Sequence, residues 1–326
     1  MKILLLLCLT FIACDNPSTS TLSEAMNPDN DPANLPGAVS SLDHTYRTLP
    51  IEGYVSRVWT GWWWPMSEGG TASRRYGHKS PMEKYDEATG TSAYKWEVAN
   101  SEEYKTTSWA GHCNGVAASG IMEEEPVRSV TYNGVTFSIA DIKALLAEMW
   151  QGSGWIIGDK CNLKKPTYND YGRIEEAECR DLNPATFHIA ITNFLGLFGK
   201  ALILDIDNSE AVWNYPAYEY KYEEIRWYTV TEAANILHRG DGTSYTSNLD
   251  AVDIVHVRMT LMFAGAGKRV YDYFLELDLE GTAIGGEWYR GSKKNHPDFI
   301  WRPQDPKAYN PFLDLDVVRD IYFQSI

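Results

Sequence analysis

The sequence predicts an α+β domain in which N-terminal helices pack on a mainly antiparallel sheet. Two observations carry this. Helix start signals and apolar positions at helical spacing fall in the first half of the body, whereas runs rich in β-branched and aromatic residues, separated by turn residues, fill the second. A third sets the number of units: 12 Trp and 20 Tyr are spread along the body with no second linker between them, so residues 41–326 are expected to form one domain.

The chain opens with Met1 and Lys2, runs through an apolar stretch to Ala13 and meets Cys14. The stretch is too short to stay in a bilayer, and a small residue before a cysteine suits cleavage and lipidation. Residues 1–13 are therefore expected to be a bacterial lipoprotein signal peptide and Cys14 the lipidated first residue, which predicts an exported protein anchored in the cell envelope. Residues 14–40 are rich in Asn, Asp, Pro, Ser and Thr, bury little apolar surface and are expected to form a flexible tether. The net charge of −15 opposes binding to nucleic acid or to a bare anionic membrane, so the lipid is the one expected membrane contact.

In the body, Gly61 to Tyr76 is turn chemistry around Trp62, Trp63 and Trp64. Three consecutive rings cannot all face inward, so one or two are expected to be exposed. Trp109-Ala-Gly-His-Cys113 leads into a helix of small residues that reaches Glu123, Glu124 and Glu125 and stops at Pro126. Asn133-Gly134 predicts a hairpin over 130–135, and Ser138 with Asp141 caps a helix over 139–150. Strands are expected over 186–193, 201–205, 218–228, 254–263 and 270–279. Cys161 and Cys179 flank a polar loop that a disulfide would close, leaving Cys113 as the free thiol.

Cys113 carries the chemistry. A helix start stabilises a thiolate, and its N–H groups can hold an oxyanion; Gly111 and Gly115 permit close backbone approach. His188, placed on the strand 186–193, supplies an imidazole. Asp205 or Asp207, at the end of the next strand, supplies a carboxylate to orient it, and alternation does not choose between the two. The order Cys, His on a strand, Asp on the following strand is that of a papain-like or transglutaminase-like core.

Seven segments in order extend this. They are GWWWP with GGTASRRY, SPMEKYD at 80–86, WAGHCNGVAA at 109–118, CRDLNPATFH at 179–188, VWNYP at 212–216, IGGEW at 284–288 and HPDFIW at 296–301. With them the chain resembles the transglutaminase elicitor family of oomycete cell-wall proteins and bacterial relatives. The resemblance implies a Cys113–His188–Asp205 triad, with Asp207 as second choice, and protein-glutamine γ-glutamyl transfer from a glutamine donor to an amine or lysine through a Cys thioester. It implies that Trp109 covers the acyl intermediate. Two other functions use the same residues differently: a cysteine peptidase or amidase with that triad, or a non-catalytic cell-surface module whose Trp62 to Trp64 form a platform.

No cofactor is expected. There is no HExxH spacing and no GxxxxGK[ST] loop, no metal ligands are assigned, Glu123 to Glu125 point in different directions as a solvated helix end, and Arg239-Gly240-Asp241-Gly242 reads as a turn. His296 is expected to brace a C-terminal turn.

Overall fold

The computed structural model describes residues 32–35, 39–152, 154–170, 174–176, 179, 182–237 and 248–326. The expected signal peptide, the expected lipidation site Cys14 and the turn expected at 239–242 lie outside the described residues. Of the expected tether, Leu35 and Val39 are described, and both are buried in the main core beside Leu42 and Tyr46. Ordered packing therefore begins before residue 41, because these two apolar side chains have a surface to cover.

The first half is helical around a small hairpin. α1 (Pro81–Thr89) starts with Pro81 at its first turn and a capping box between Ser80 and Glu83. α2 (Ala93–Glu103) follows, and then α3 (Cys113–Met122), whose Gly, Ala and Ser residues let it approach its neighbours closely. The short strand β1 (Glu52–Tyr54) precedes these helices. β2 (Val130–Tyr132) and β3 (Val135–Phe137) form the expected hairpin, with Asn133 and Gly134 both at positive φ (46° and 80°). α4 (Ile139–Met149) opens with the expected capping box of Ser138 and Asp141.

The second half builds the sheet. β4 (Gly154–Gly158), β5 (Leu202–Asp205), β6 (Asn214–Thr229), β7 (Asp253–Phe263), β8 (Gly267–Leu277), β9 (Ala283–Trp288) and β10 (Phe299–Pro303) run in the order β4-β10-β5-β6-β7-β8-β9, with β1 also pairing β6. All these pairings are antiparallel, and the sheet is a half-barrel. The described helices α6 (Val230–Leu237) and α7 (Leu315–Phe323) complete the chain. The expected α+β class holds, with four of the described α-helices before β4 and the other three within or after the sheet strands. No helix of the described residues is long and apolar enough to cross a membrane.

One element differs from expectation. Residues 186–193, read as a strand, fall in the helix α5 (Pro184–Ile191) and the π-helical turn that follows it (Thr192–Leu197). Asn183 caps it, its side chain accepting from the Ala185 N–H at 2.8 Å, and Pro184 occupies the first turn. Every residue of α5 is buried, so no polar face marks the helical period in the sequence.

The sheet has a core on each face. Leu202 and Leu204 pack with α5 residues such as Phe187 and Ile189, and with Tyr222 and Tyr273. Ile203 packs instead with Ala117 and Ala118 of α3 and Leu145 and Leu146 of α4. Side chains alternate along β5, so Asp205 shares the face of Ile203 and α3.

Candidate active site

Cys113 is the first residue of α3, half-buried and free. Its thiol lies 3.8 Å from the Val212 carbonyl, to which it donates. The backbone N–H groups of Asn114 and Asn214, and the Asn214 side chain, are also within hydrogen-bonding reach of the sulfur. Asn214 opens β6, and its Oδ1 accepts from the indole of Trp301 at 2.8 Å, which leaves the amide nitrogen for the sulfur. Burial raises the Cys113 pKa above the ordinary thiol value and the charge of Asp205 adds to the rise, while these hydrogen bonds work against it. The resting group at neutral pH is a thiol.

Asp205 ends β5 directly opposite Asn214 in the ladder. Its Oδ1 accepts from the Trp213 N–H at 2.8 Å and the Asp207 N–H at 3.2 Å. Oδ2 is buried with no hydrogen-bond partner among the described residues. Burial pushes the Asp205 pKa up to about 7, against the pull of the two N–H groups. A carboxyl so placed exchanges its proton near neutral pH. Asp207 lies past the end of the strand, where Oδ1 accepts from the N–H (2.9 Å) and hydroxyl (2.5 Å) of Ser209 and so closes a turn. Asp205 is thus the last residue on the strand, and Asp207 lies beyond it.

The structure does not bring His188 to this site. It lies on α5, which packs on β8 and β9, on the opposite sheet face from α3. Its Nδ1 is 2.8 Å from the Tyr273 hydroxyl, and its ring sits among Tyr46, Tyr222 and Tyr273. Burial lowers its pKa to about 3, so it stays neutral. The histidine assigned to the triad is a core residue. The physical reason is the helix: with α5 covering the half-barrel, the imidazole has no strand position from which to face Cys113.

Two cavities meet at the sulfur. The first, of about 280 Å³, is lined by Trp109, Asn114, Gln151, Val212, Asn214 and Tyr309, among others. The second, of about 210 Å³, is lined by Trp62, Trp63, Trp213, Tyr215 and Asn214, and Cys113 is on the wall of both. Of the tryptophan run, Trp64 is buried while Trp62 and Trp63 are half-buried and line the second cavity. Trp109 borders the first cavity and carries the Lys160 ammonium over its ring at 4.6 Å. Lys160 also lowers the Asp205 pKa slightly and adjoins the Cys161–Cys179 disulfide, which forms as expected. The disulfide segment is tied to the end of β5 through Asp298, whose Oδ2 accepts from the Cys161 N–H at 3.0 Å and whose own N–H donates to the Asp205 carbonyl at 3.2 Å. His296 braces the neighbouring turn, with Nδ1 2.9 Å from the Ser292 carbonyl and its ring stacked on Trp288.

Sequence reasoning missed Asn214, Trp301 and Lys160. The VWNYP and HPDFIW segments had marked the first two as part of a pattern without giving them roles. It also missed a buried group next to Cys113 in the chain. His112 Nε2 lies 2.8 Å from Glu97 Oε1 and 3.4 Å from Glu148 Oε1, and all three side chains are fully buried. Their ligand-type atoms lie within 4.8 Å of one another. Thr71 completes the group, its N–H donating to Glu97 at 3.1 Å and its hydroxyl to Glu148 at 2.6 Å. These are hydrogen-bond contacts, while the second oxygens of Glu97 and Glu148 and His112 Nδ1 are buried without a hydrogen-bond partner among the described residues.

The model of the transglutaminase elicitor family matches residues 95–315. Among solved structures, the chain is similar to the crystal structure of the GP42 transglutaminase from Phytophthora sojae, with 25% identity and a TM-score of 0.69 over 87% of this chain and 94% of that one. No curated protein matches the chain.

Proposed function

The chain belongs to the transglutaminase elicitor family, and from that premise we propose that it is a protein-glutamine γ-glutamyltransferase with Cys113 as nucleophile and Asp205 as its proton-transfer partner. The observation that supports this most directly is the Cys113 thiol at the start of α3, at the junction of two cavities and within the electrostatic reach of the buried Asp205 carboxyl, which has one unpaired oxygen and a pKa of about 7. Two substrates must reach one sulfur in acyl transfer, and two cavities supply two routes.

In the proposed reaction Asp205 takes the thiol proton as Sγ attacks the glutamine carboxamide carbon. The developing oxyanion lies near the N–H groups of α3's first turn and the Asn214 amide. The C–N bond then breaks, and Asp205 returns the proton to the leaving nitrogen, so that ammonia departs and a thioester remains. An amine attacks that thioester, Asp205 accepts the amine's proton and passes it to the departing sulfur, and the isopeptide product leaves with the thiol restored. The half-buried aromatic rings of Trp62, Trp63 and Trp213 make the second cavity poor in water, which protects the thioester from hydrolysis. Export by the signal peptide and anchoring through Cys14 would place this chemistry in the cell envelope.

The test is incorporation of a fluorescent primary amine into a glutamine-containing protein by the wild type, Cys113→Ala and Asp205→Asn. Cys113→Ala is expected to abolish labelling. Asp205→Asn keeps Oδ1 for its two N–H donors, so the fold is expected to persist while kcat loses its rise through pH 7. Labelling by Cys113→Ala would refute the nucleophile, and ammonia release without labelling would make the enzyme a hydrolase.

A further inference from the structure

We propose that His112 is a positioning residue for Cys113, acting through a buried Glu97–His112–Glu148 clamp that ties the first turn of α3 to α2 and α4. This rests on Cys113 being a nucleophile but not on the identity of its acyl donor or acceptor.

His112 is the N-cap residue of α3. Its N–H donates to the Trp63 carbonyl at 2.8 Å and its carbonyl accepts from the Val116 N–H at 2.9 Å, so its backbone sets where the helix begins and which way the next side chain leaves. Its ring points away from the sulfur into the helical layer, where Nε2 reaches Glu97 of α2 and Glu148 of α4. A residue pinned at both backbone and ring fixes the backbone from which the Cys113 side chain departs at the junction of the two cavities. The clamp also touches a residue that lines the first cavity. Tyr309, one of its lining residues, has its ring 6.1 Å from that of His112 and donates its N–H to the Glu148 carbonyl at 3.1 Å.

The close fit is visible at Gly70. A methyl group there would lie 1.9 Å from Glu97 Oε1 and 3.2 Å from His112 Nε2, so the backbone itself closes the group. Replacing such buried polar and ionic groups by apolar ones is often neutral or stabilising, which makes stability alone a poor reason for three buried titratable side chains here. Fixing the geometry of the residue next door is a better one, because a displacement of about 1 Å at a reacting group can cost 100-fold in rate.

The groups that face the ring are Glu97, Glu148 and Tyr309, with Thr71 and Gln151 as neutral neighbours. Although burial opposes its charge, the two carboxylates hold the His112 pKa up to about 9. The clamp therefore loosens when the imidazolium loses its proton at alkaline pH.

The test uses the mature protein and reads kcat and KM for amine incorporation against pH, Cys113 alkylation by iodoacetamide at pH 7.5, and the thermal midpoint. For His112→Gln the expectation is a kcat lowered about 10- to 100-fold with KM within twofold, and an alkylation rate changed by about fivefold or more. For Glu97→Gln, which keeps the acceptor but removes a charge, the alkaline loss of activity moves to lower pH. A folded His112→Gln protein with wild-type kcat and an alkylation rate within twofold overturns the proposal. If that variant does not fold, an unmoved alkaline limb in Glu97→Gln overturns it, as does a wild-type profile flat through pH 9. If the wild type incorporates no amine, the alkylation comparison decides alone, so failure of the transferase assignment and failure of the clamp are separable.

Discussion

Substitution of Gly115 by alanine tests the helix contact that seats the nucleophile. Gly115 lies two residues after Cys113, where α3 crosses α4, and an added Cβ would fall 1.9 Å from the Ala147 carbonyl oxygen and 2.5 Å from Gln151 Oε1. Real Cβ contacts stay above 3.0 Å, so α3 and α4 would have to separate by at least 1.1 Å, and a backbone carbonyl cannot yield by changing rotamer. Overpacking of this kind costs about 1–3 kcal/mol, and the clash with rigid backbone puts it at the upper end. The helix propensity gained from Gly to Ala offsets about 1 kcal/mol. The net is a loss of about 2 kcal/mol, which for a domain of this size lowers Tm by roughly 3 °C. Denaturant titration and thermal melting measure it, with Gly291→Ala as control, since no atom lies within 4 Å of its Cβ and its φ is not positive. Cys113 moves with the helix, so kcat is expected to drop as well. A midpoint unchanged or raised in Gly115→Ala, or an equal loss in Gly291→Ala, would refute the close approach as the reason for glycine.

Two further predictions concern stability. Removing the disulfide by Cys161→Ser with Cys179→Ser frees a loop of sequence separation 18. Chain entropy puts the cost at about 3 kcal/mol, read as a drop in the denaturant midpoint; a cost under about 1 kcal/mol would contradict it. The His112 pKa is raised from 6.5 to about 9 in the folded state, so its contribution is fully present below about pH 6.5 and is lost as pH rises through 9. The thermal midpoint should therefore fall between pH 7 and 10, and the slope should flatten in His112→Gln; a wild type equally stable across that range would remove the buried imidazolium from the account.

Local chemistry was legible wherever a few neighbouring residues decide the backbone. Ser138 with Asp141, Asn133 with Gly134, and the small residues after Cys113 each gave the element that forms. The α5 region misled because Thr, Phe and Ile in a fully buried run carry no polar face, and the Asn183-Pro184 start signal was outweighed by β propensity. That single error placed His188 on the sheet face of α3, where the structure puts Asp205, while His188 itself lies on the opposite face. Asn214 was hidden for another reason: its role depends on a ladder partner, Asp205, and on Trp301, 87 residues later. The clamp joins residues 15 apart on α2 and α3 with a third on α4, and spacing alone does not announce such a meeting.

The pairing of Cys161 with Cys179 bears on how the nucleophile survives its own maturation. Among the cysteines of the described residues, three different bridges could form in an oxidising compartment, and two of them would consume Cys113. Both of those close loops more than twice as long as the native one. Loop-closure entropy disfavours them by about 1 kcal/mol, roughly a fivefold bias while the chain is still unfolded. Once β5 and β10 have paired, Asp298 holds the Cys161 backbone, both disulfide sulfurs are sealed from solvent, and exchange has no exposed sulfur to attack. The bridge thus acts as a safeguard, removing from circulation the two thiols that could have silenced the third.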